Sequence, residues 1–285
     1  GRGIGRGEAI ALAAEGAKVV VNDLGGGPDG TGASASPADE VVAEIKKMGG
    51  QATPNYDSVA TWKGGESIIK TAIDTFGRLD ILVNNAGILR DRMVFNMSEE
   101  EWDIIMKVHL YGHFYTIRHA CPIFRQQKSG RIINTSSSAG LGSTFGQANY
   151  GAAKEGIIGL TRQVANDMGR YNVTCNAIRP SAGTRLTLSD ELKQAWEKAG
   201  RLEAIKRMQE TKPEDIAPLV VWLASDDAAN VTGRTFYVQT GLVALYSEPL
   251  HEKAILKVGS WTVEEMFDSM PKTLAAGLVN PATPK

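Results

Sequence analysis

Three residues near the middle of the chain have the types and spacing for proton exchange with an alcohol or ketone. Tyr150 and Lys154 stand four apart in Asn149-Tyr150-Gly151-Ala152-Ala153-Lys154, and Ser137 lies thirteen positions before the tyrosine in Thr135-Ser136-Ser137-Ser138. On an α-helix, positions i and i+4 are about 40° apart around the axis, so the phenol and the amine share a face. A phenol with a pKa of about 10 carries protons poorly at neutral pH. A neighbouring ammonium stabilises the phenolate and is expected to lower that value into the useful range. Tyr150 then takes the alcohol proton while hydride leaves the carbinol carbon for a nicotinamide, and returns the proton in reduction. Ser137 is placed to hydrogen-bond the substrate oxygen and hold the charge that develops there. A Tyr-x-x-x-Lys spacing alone marks a solvated helix turn more often than a site. The serine before it and a nucleotide loop elsewhere give the functional reading its weight.

That loop opens the chain as Gly1-Arg2-Gly3-Ile4-Gly5-Arg6-Gly7, followed by helical sequence and a strand ending at Asp23. Glycines let backbone approach phosphate closely, and a helix N-terminus offers free N–H groups and the positive end of its dipole. Asp23, eighteen residues after Gly5, is placed to accept hydrogen bonds from ribose hydroxyls. Its carboxylate would repel a 2′-phosphate, which favours NAD over NADP. Arg2 argues for the phosphate but carries less weight, because Asp23 stands where the 2′-position belongs. A turn of this kind follows a strand, and the sequence begins inside the turn. Losing a central parallel strand would cost more than the ~5–15 kcal/mol that stabilises a domain, so roughly ten further residues are expected ahead of Gly1.

Presenting these groups together requires a sheet. Runs rich in Val and Ile occur at 17–22, 79–84, 131–135, 173–178 and 235–238, with a weaker one near 51–56. Their lack of polar alternation suits strands buried on both faces. Helical periodicity fills the intervals at 6–15, 37–48, 61–76 and 214–224. After Tyr150, Ala153, Ile157, Leu160, Val164 and Met168 keep to one face. Ser98-Glu99-Glu100-Glu101 is a capping box that announces another helix, with Trp102, Ile105, Met106, His109 and His113 on one stripe. Strand and helix in alternation predict a doubly wound parallel α/β sheet of the Rossmann type, a single domain over residues 1–241, its first strand missing from the given chain. Residues 184–211 fall between a strand and the last helix and are a candidate substrate lid. From 242 to 285 no further strand is indicated; this extension is expected to pack on the same domain, with one short helix at 261–267.

Bulk properties exclude several classes. Thirty-one basic against thirty-two acidic residues give a net charge of -1, which suggests neither nucleic acid nor an anionic membrane as a partner. No apolar run is long enough to span a bilayer. Two distant cysteines, Cys121 and Cys175, support no disulfide framework, so a reducing cytoplasm is the expected compartment. His109 and His113 are four apart, yet no further ligand stands at metal-site spacing; packing is the better reading, and no metal is expected. The basic residues between Lys193 and Arg207 are interspersed with glutamates and read as a solvated face as readily as a phosphate clamp.

Together the glycine turn, Asn84-Asn85-Ala86-Gly87, the serine strand with Tyr150 and Lys154, and Asn176-Ala177-Ile178-Arg179-Pro180 resemble the short-chain dehydrogenase/reductase family, over at least residues 1–241. The resemblance implies that Gly3, Ile4 and Gly5 line the pyrophosphate, with Asp23 at the adenosine ribose and Asp57 and Ser58 near the adenine. It places Asn84, Ala86 and Gly87 along the cofactor, and Pro180, Ala182, Gly183 and Thr184 at the nicotinamide beside Tyr150 and Lys154. Asn84–Arg92 (NNAGILRDR), residues 145–150 (FGQANY) and Arg185-Leu186-Thr187 are similar to members acting on 3-hydroxyacyl-CoA and 17β-hydroxysteroids. A hydrophobic substrate and a homodimer or homotetramer are implied as well, the latter built on helices within 98–120 and 150–171. His109 replaces the asparagine usual in that family's catalytic set, and Ser181 stands where glycine is usual. Two other functions compete: a reductase of small ketones, terpenols or quinones, and a non-catalytic NAD-sensing protein.

Overall fold

A computed structural model describes residues 1–142, 144–184 and 210–279, together with the single positions 203 and 206. Two parallel sheets form. The smaller pairs β1 (Val19–Asn22) with β2 (Ala52–Asn55). The larger runs in the order β3 (Ile81–Asn84), β4 (Gly130–Thr135), β5 (Val173–Pro180), β6 (Thr235–Gln239) and β7 (Leu242–Leu245), parallel except for the last pair. The predicted alternation and parallel sense are therefore realised. β1 and β3 are not paired; both lead to the start of the first helix, α1 (Gly3–Ala14). Asp23, after β1, has Oδ2 3.1 Å from the Gly1 amino nitrogen. After β3, Asn85 lies so near that a Cβ on Gly5 would meet its Nδ2 at 2.6 Å.

The buried strands show why polar alternation was absent. In β4, Ile132 enters a core with Ile69, Ile117, Phe124, Val164 and Cys175, while the next residue, Ile133, enters another with Ile178, Val220, Leu223 and Val238. Successive side chains point to opposite faces, and each face carries helices. Those helices are α2 (Ser36–Lys47), α3 (Trp62–Phe76), α4 (Glu99–Met106), α5 (Gly112–Gln127), α6 (Ala148–Met168) and α7 (Ala217–Ala224). Each lies within a few residues of its predicted span; α7 is shortened because a 3₁₀ turn, Pro213–Ile216, precedes it. The capping box closes as predicted, Ser98 accepting from the Glu101 N–H and Glu101 from the Ser98 N–H. Between α4 and α5 the chain widens into one π-helical turn, Lys107–Tyr111.

The reading of 242–285 as strandless is corrected at its start. Thr240 and Gly241 form a two-residue connection, Gly241 at φ 73°, and Leu242–Leu245 returns antiparallel to β6. All four β7 residues are exposed, so this edge strand shows no inside–outside pattern to read. One compact unit accordingly runs from Gly1 to Tyr246, and Ser247–Lys285 forms a second. The second holds one short helix, α8 (Val263–Ser269), capped by Thr262 and Glu265, with no buried residue. No described helix is long and apolar enough to cross a membrane. Of the expected lid, residues 185–202 and most of 203–209 lie outside the described residues, as does most of the basic cluster at 193–207.

Candidate active site

The carboxyl end of β4 and the start of α6 carry the three residues first singled out. Beyond Thr135 the chain stays tied to β5 by the Ser136 N–H, which donates to the Ile178 carbonyl at 2.8 Å. Ser137 is extended, φ −159° and ψ 153°, and caps the 3₁₀ turn Ser138–Leu141 by accepting from the Ala139 N–H at 3.2 Å. Its hydroxyl is close enough to the Tyr150 phenol to favour the ionised form. Lys154 is 2% exposed; its Nζ donates to the Thr135 carbonyl at 2.6 Å and lies 5.4 Å from the centre of the Tyr150 ring. The Ser136 hydroxyl donates to the Lys154 carbonyl at 2.8 Å, locking strand end to helix. Ser137, Tyr150 and Lys154 thus converge.

Their electrostatics differ from expectation. Burial pushes the Tyr150 phenol up to about 12; the Ser137 hydrogen bond opposes this and the Asp91 charge adds to it. Burial alone brings Lys154 down to about 7. The expected lowering of the phenol pKa is not seen: burial dominates both groups in this structure.

His109 sits on the π turn, 1% exposed, with its ring edge-on to Tyr150 at a centroid distance of 5.0 Å. Its Nε2 lies 2.8 Å from the Ile88 carbonyl oxygen and 3.2 Å from the Ile88 nitrogen. Glycine is required at position 87 because a Cβ there would meet the His109 ring at 2.6 Å. His113 places Nδ1 2.7 Å from the His109 carbonyl. Burial, then the Lys154 charge, holds both imidazoles below their ordinary pKa, His113 at about 3. Both side chains are buried in the fold.

The implied cofactor residues fall into two groups. Gly3, with φ +50°, lies within 3.5 Å, measured from an ideal Cβ, of the Thr184 methyl, so the glycine turn and the segment after β5 come together. Gly5 abuts Asn85, and Ile4 packs into the core beside Ala182. Asp23 follows β1 at the same turn, where its carboxylate accepts from the Gly25 N–H at 2.6 Å. Ala86 is exposed, while Pro180 and Gly183 are half-buried, Gly183 donating to the Thr211 carbonyl at 2.9 Å. This bare backbone, a cradle that side chains would fill, fits a dinucleotide. Asn84 belongs to the second group. Its Oδ1 accepts from Thr116 at 2.7 Å and its Nδ2 donates to Asn134 at 3.0 Å, so the side chain is engaged inside the fold. Asp57 likewise accepts from Asn55 at 2.9 Å and Ser67 at 2.7 Å, and Ser58 caps the Ala60 N–H.

Several positioning residues escaped the sequence reading. Asn149, fully buried, donates to the Arg90 carbonyl at 3.0 Å and the Glu101 carbonyl at 2.9 Å, fixing the helix start next to Tyr150. Arg179 donates to the Ser137 carbonyl at 3.1 Å and to Glu155 at 2.6 Å. Both stood inside quoted motifs, but nothing in their spacing marks the contacts they make.

A family profile described as enoyl-(acyl carrier protein) reductase matches residues 1–243. The peroxisomal multifunctional enzyme type 2 of Mus musculus is 47% identical over 246 residues, which are 85% of this chain and 31% of that protein. The chain therefore spans about a third of that relative. Hydroxyacyl-CoA dehydrogenase ChsB1 of Mycobacterium tuberculosis is 40% identical over 274 residues, 93% of this chain and 83% of its own length. The crystal structure of a short chain dehydrogenase from Mycobacterium avium is 45% identical with a TM-score of 0.81, covering 99% of this chain and 94% of that one. With this agreement added to the geometry, the chain belongs to the short-chain dehydrogenase/reductase family and acts on CH–OH groups with a nicotinamide dinucleotide.

Proposed function

We propose that this chain is an NAD(H)-dependent dehydrogenase interconverting a secondary alcohol and a ketone on a 3-hydroxyacyl-CoA or a 17β-hydroxysteroid. The observation that carries the reading is the convergence of Ser137 and Tyr150 with Lys154, whose Nζ lies 5.4 Å from the centre of the phenol ring. The hydroxyacyl-CoA name of one relative supports the acyl substrate, while the acyl-carrier-protein name of the family profile supports a related thioester. Asp23 supports NAD over NADP, since a carboxylate at the ribose disfavours a second phosphate there.

A bound nicotinamide supplies hydride exchange with the carbinol carbon. The chain's own groups handle the proton. In oxidation, Tyr150 Oη accepts the alcohol proton as its own proton passes on toward the Lys154 amine, while Ser137 Oγ donates to the substrate oxygen and offsets the charge developing there. Lys154 Nζ, held by the Thr135 carbonyl, gains from any negative charge on the phenol, which reverses the burial that lowers its own pKa. His109 keeps the ring of Tyr150 in place from the side.

A homodimer or homotetramer is part of the proposal. Trp102, Tyr111 and Phe114 remain 38–46% exposed on α4, the π turn and α5, a surface suited to a second copy. Both cysteines are free, which suits the expected cytoplasm. The test is turnover with NAD and NADP of a 3-hydroxyacyl-CoA, a 17β-hydroxysteroid and a monocyclic terpenol, with mass by light scattering alongside. Efficient turnover of the terpenol alone would replace the acyl or steroid reading by that of a small-ketone reductase.

A further inference from the structure

Within the Gly1–Tyr246 unit, the three most exposed large apolar side chains among the described residues lie on two segments bonded to each other, one of them between Ser137 and Tyr150 in the chain. They are Phe145 at 85%, Phe95 at 75% and Val94 at 67%, with Leu141 and Met93 nearby at 58% and 43%. Two segments carry them: 93–95, after β3, and 141–145, between Ser137 and Tyr150. Polar bonds fasten these segments to each other. The Arg92 N–H donates to the Gly146 carbonyl at 2.8 Å, Arg92 and Gln147 form a parallel bridge, and Gln147 Nε2 donates to Asp91 at 2.9 Å. Asn149 adds its bond to the Arg90 carbonyl. These bonds fix the two segments to each other, while the apolar side chains are left in water.

Keeping five large apolar groups wet is unfavourable, and such patches on soluble proteins mark something that binds. Position identifies what binds. Leu141 follows Ser137 by four residues, Phe145 precedes Tyr150 by five, and Asp91, one residue before the bridge, is near enough for its charge to act on the Tyr150 phenol. One of the two segments lies between Ser137 and Tyr150 in the chain, so the patch borders the residues at which the carbinol would sit. We propose that Phe95 and Phe145 hold the fatty acyl arm of the substrate and make the chain selective for long over short 3-hydroxyacyl thioesters. This rests on the reading of Tyr150 and Ser137 given above and adds to it the residues that grade chain length.

The experiment compares kcat/KM for 3-hydroxydodecanoyl-CoA and 3-hydroxybutanoyl-CoA, together with calorimetric Kd values for dodecanoyl-CoA, which has no hydroxyl to oxidise. Phe145→Ser and Phe95→Ser are set against Val243→Ser on the exposed edge strand β7. Each methylene withdrawn from water is worth about fourfold in affinity, so each phenylalanine variant is expected to lower the long-to-short ratio and weaken dodecanoyl-CoA about tenfold. Val243→Ser leaves both values as in the wild type. An unchanged ratio and an unchanged Kd in both phenylalanine variants overturn the proposal. So does a loss confined to 17β-oestradiol, or a fall in oligomer mass with the ratio intact, which would assign the patch to a second copy. Because dodecanoyl-CoA binding needs no turnover, failure of the catalytic reading, seen as an active Tyr150→Phe enzyme, is distinguishable from failure of this one.

Discussion

Around β1, β2 and α1 the functional surface is made by leaving side chains out, while around β3, β4 and β5 it is made by burying polar ones. On the first side Gly3 adopts φ +50° and Gly5 leaves no room for a Cβ beside Asn85, so main chain lies open where a phosphate would approach. On the second side Asn84, Asn134, Thr116, Thr161, His109, His113 and Lys154 are all buried. They are joined in chains such as Thr116 to Asn84 to Asn134 to Thr161, each link 2.7–3.0 Å. A turn that only needs the right backbone tolerates what surrounds it. A buried polar network does not, because each group that loses its partner is left unsatisfied in low dielectric. The catalytic side is accordingly rigid at the price of sensitivity, and the nucleotide side is forgiving.

Breaking the catalytic side at its chemical centre gives the largest expected effect. Tyr150→Phe removes the proton carrier but keeps the ring against His109, so kcat falls at least ~100-fold while NAD affinity measured by fluorescence titration stays near wild type. A near-wild-type kcat would end the proposed mechanism.

Acid is the next lever. His109 and His113 remain neutral when folded, His113 down to about pH 3, whereas the unfolded chain binds those protons below about 6.5. Stability is therefore lost as pH falls from 6.5 toward 3, by up to ~1.4 kcal/mol per pH unit for each imidazole. Glu8 acts in the opposite sense: burial raises it to about 7 from 4.5, so the folded state holds its extra proton between those values and gains as pH falls. The net loss should therefore steepen below 4.5, where Glu8 no longer compensates. Urea unfolding at several pH values should show His113→Phe with a shallower acid limb than wild type; an identical limb would mean that His113 does not stay neutral in the fold.

A smaller effect tests the network itself. Asn134→Leu strands the Asn84 amide and takes from the Thr161 hydroxyl its donor, leaving only its bond to the Ile157 carbonyl, and should lower unfolding free energy by about 2 kcal/mol with the Gly3–Gly5 turn untouched. Equal losses of NAD affinity and of stability would erase the distinction between the two sides. Smallest is Asp23→Ser, on the forgiving side. It should cut the preference for NAD over NADP by about tenfold with stability little changed, read as the ratio of kcat/KM with the two cofactors.

The same division decides what the sequence could reveal. Gly1 to Gly7 and Asp23 are readable because a glycine's use is local, and the Ser137, Tyr150 and Lys154 set because its spacing is a helix period. The strands were legible from unbroken Val and Ile runs. Asn149, Arg179 and Asp91 were not, since each meets a partner 24 to 59 positions away and nothing local encodes the distance. The cost of burying Tyr150 and Lys154 together was equally hidden: a four-residue interval shows that two groups are neighbours but not how dry they are. Strand β7 was missed because an edge strand exposed along its whole length has no pattern to betray it.

The wide turn at Lys107–Tyr111 has one more consequence. Removing a single residue there would restore ordinary helical hydrogen bonding and leave α5 facing as it does now, because a π turn is one residue more in the same turn of helix. The same deletion at the start of α5 would rotate everything after it by about 100°, so that the places of Thr116, Ile117, Ala120 and Phe124 passed to Ile117, Arg118, Cys121 and Arg125, driving two guanidinium groups into the core. At this one point the chain could lose a residue without turning its buried face outward.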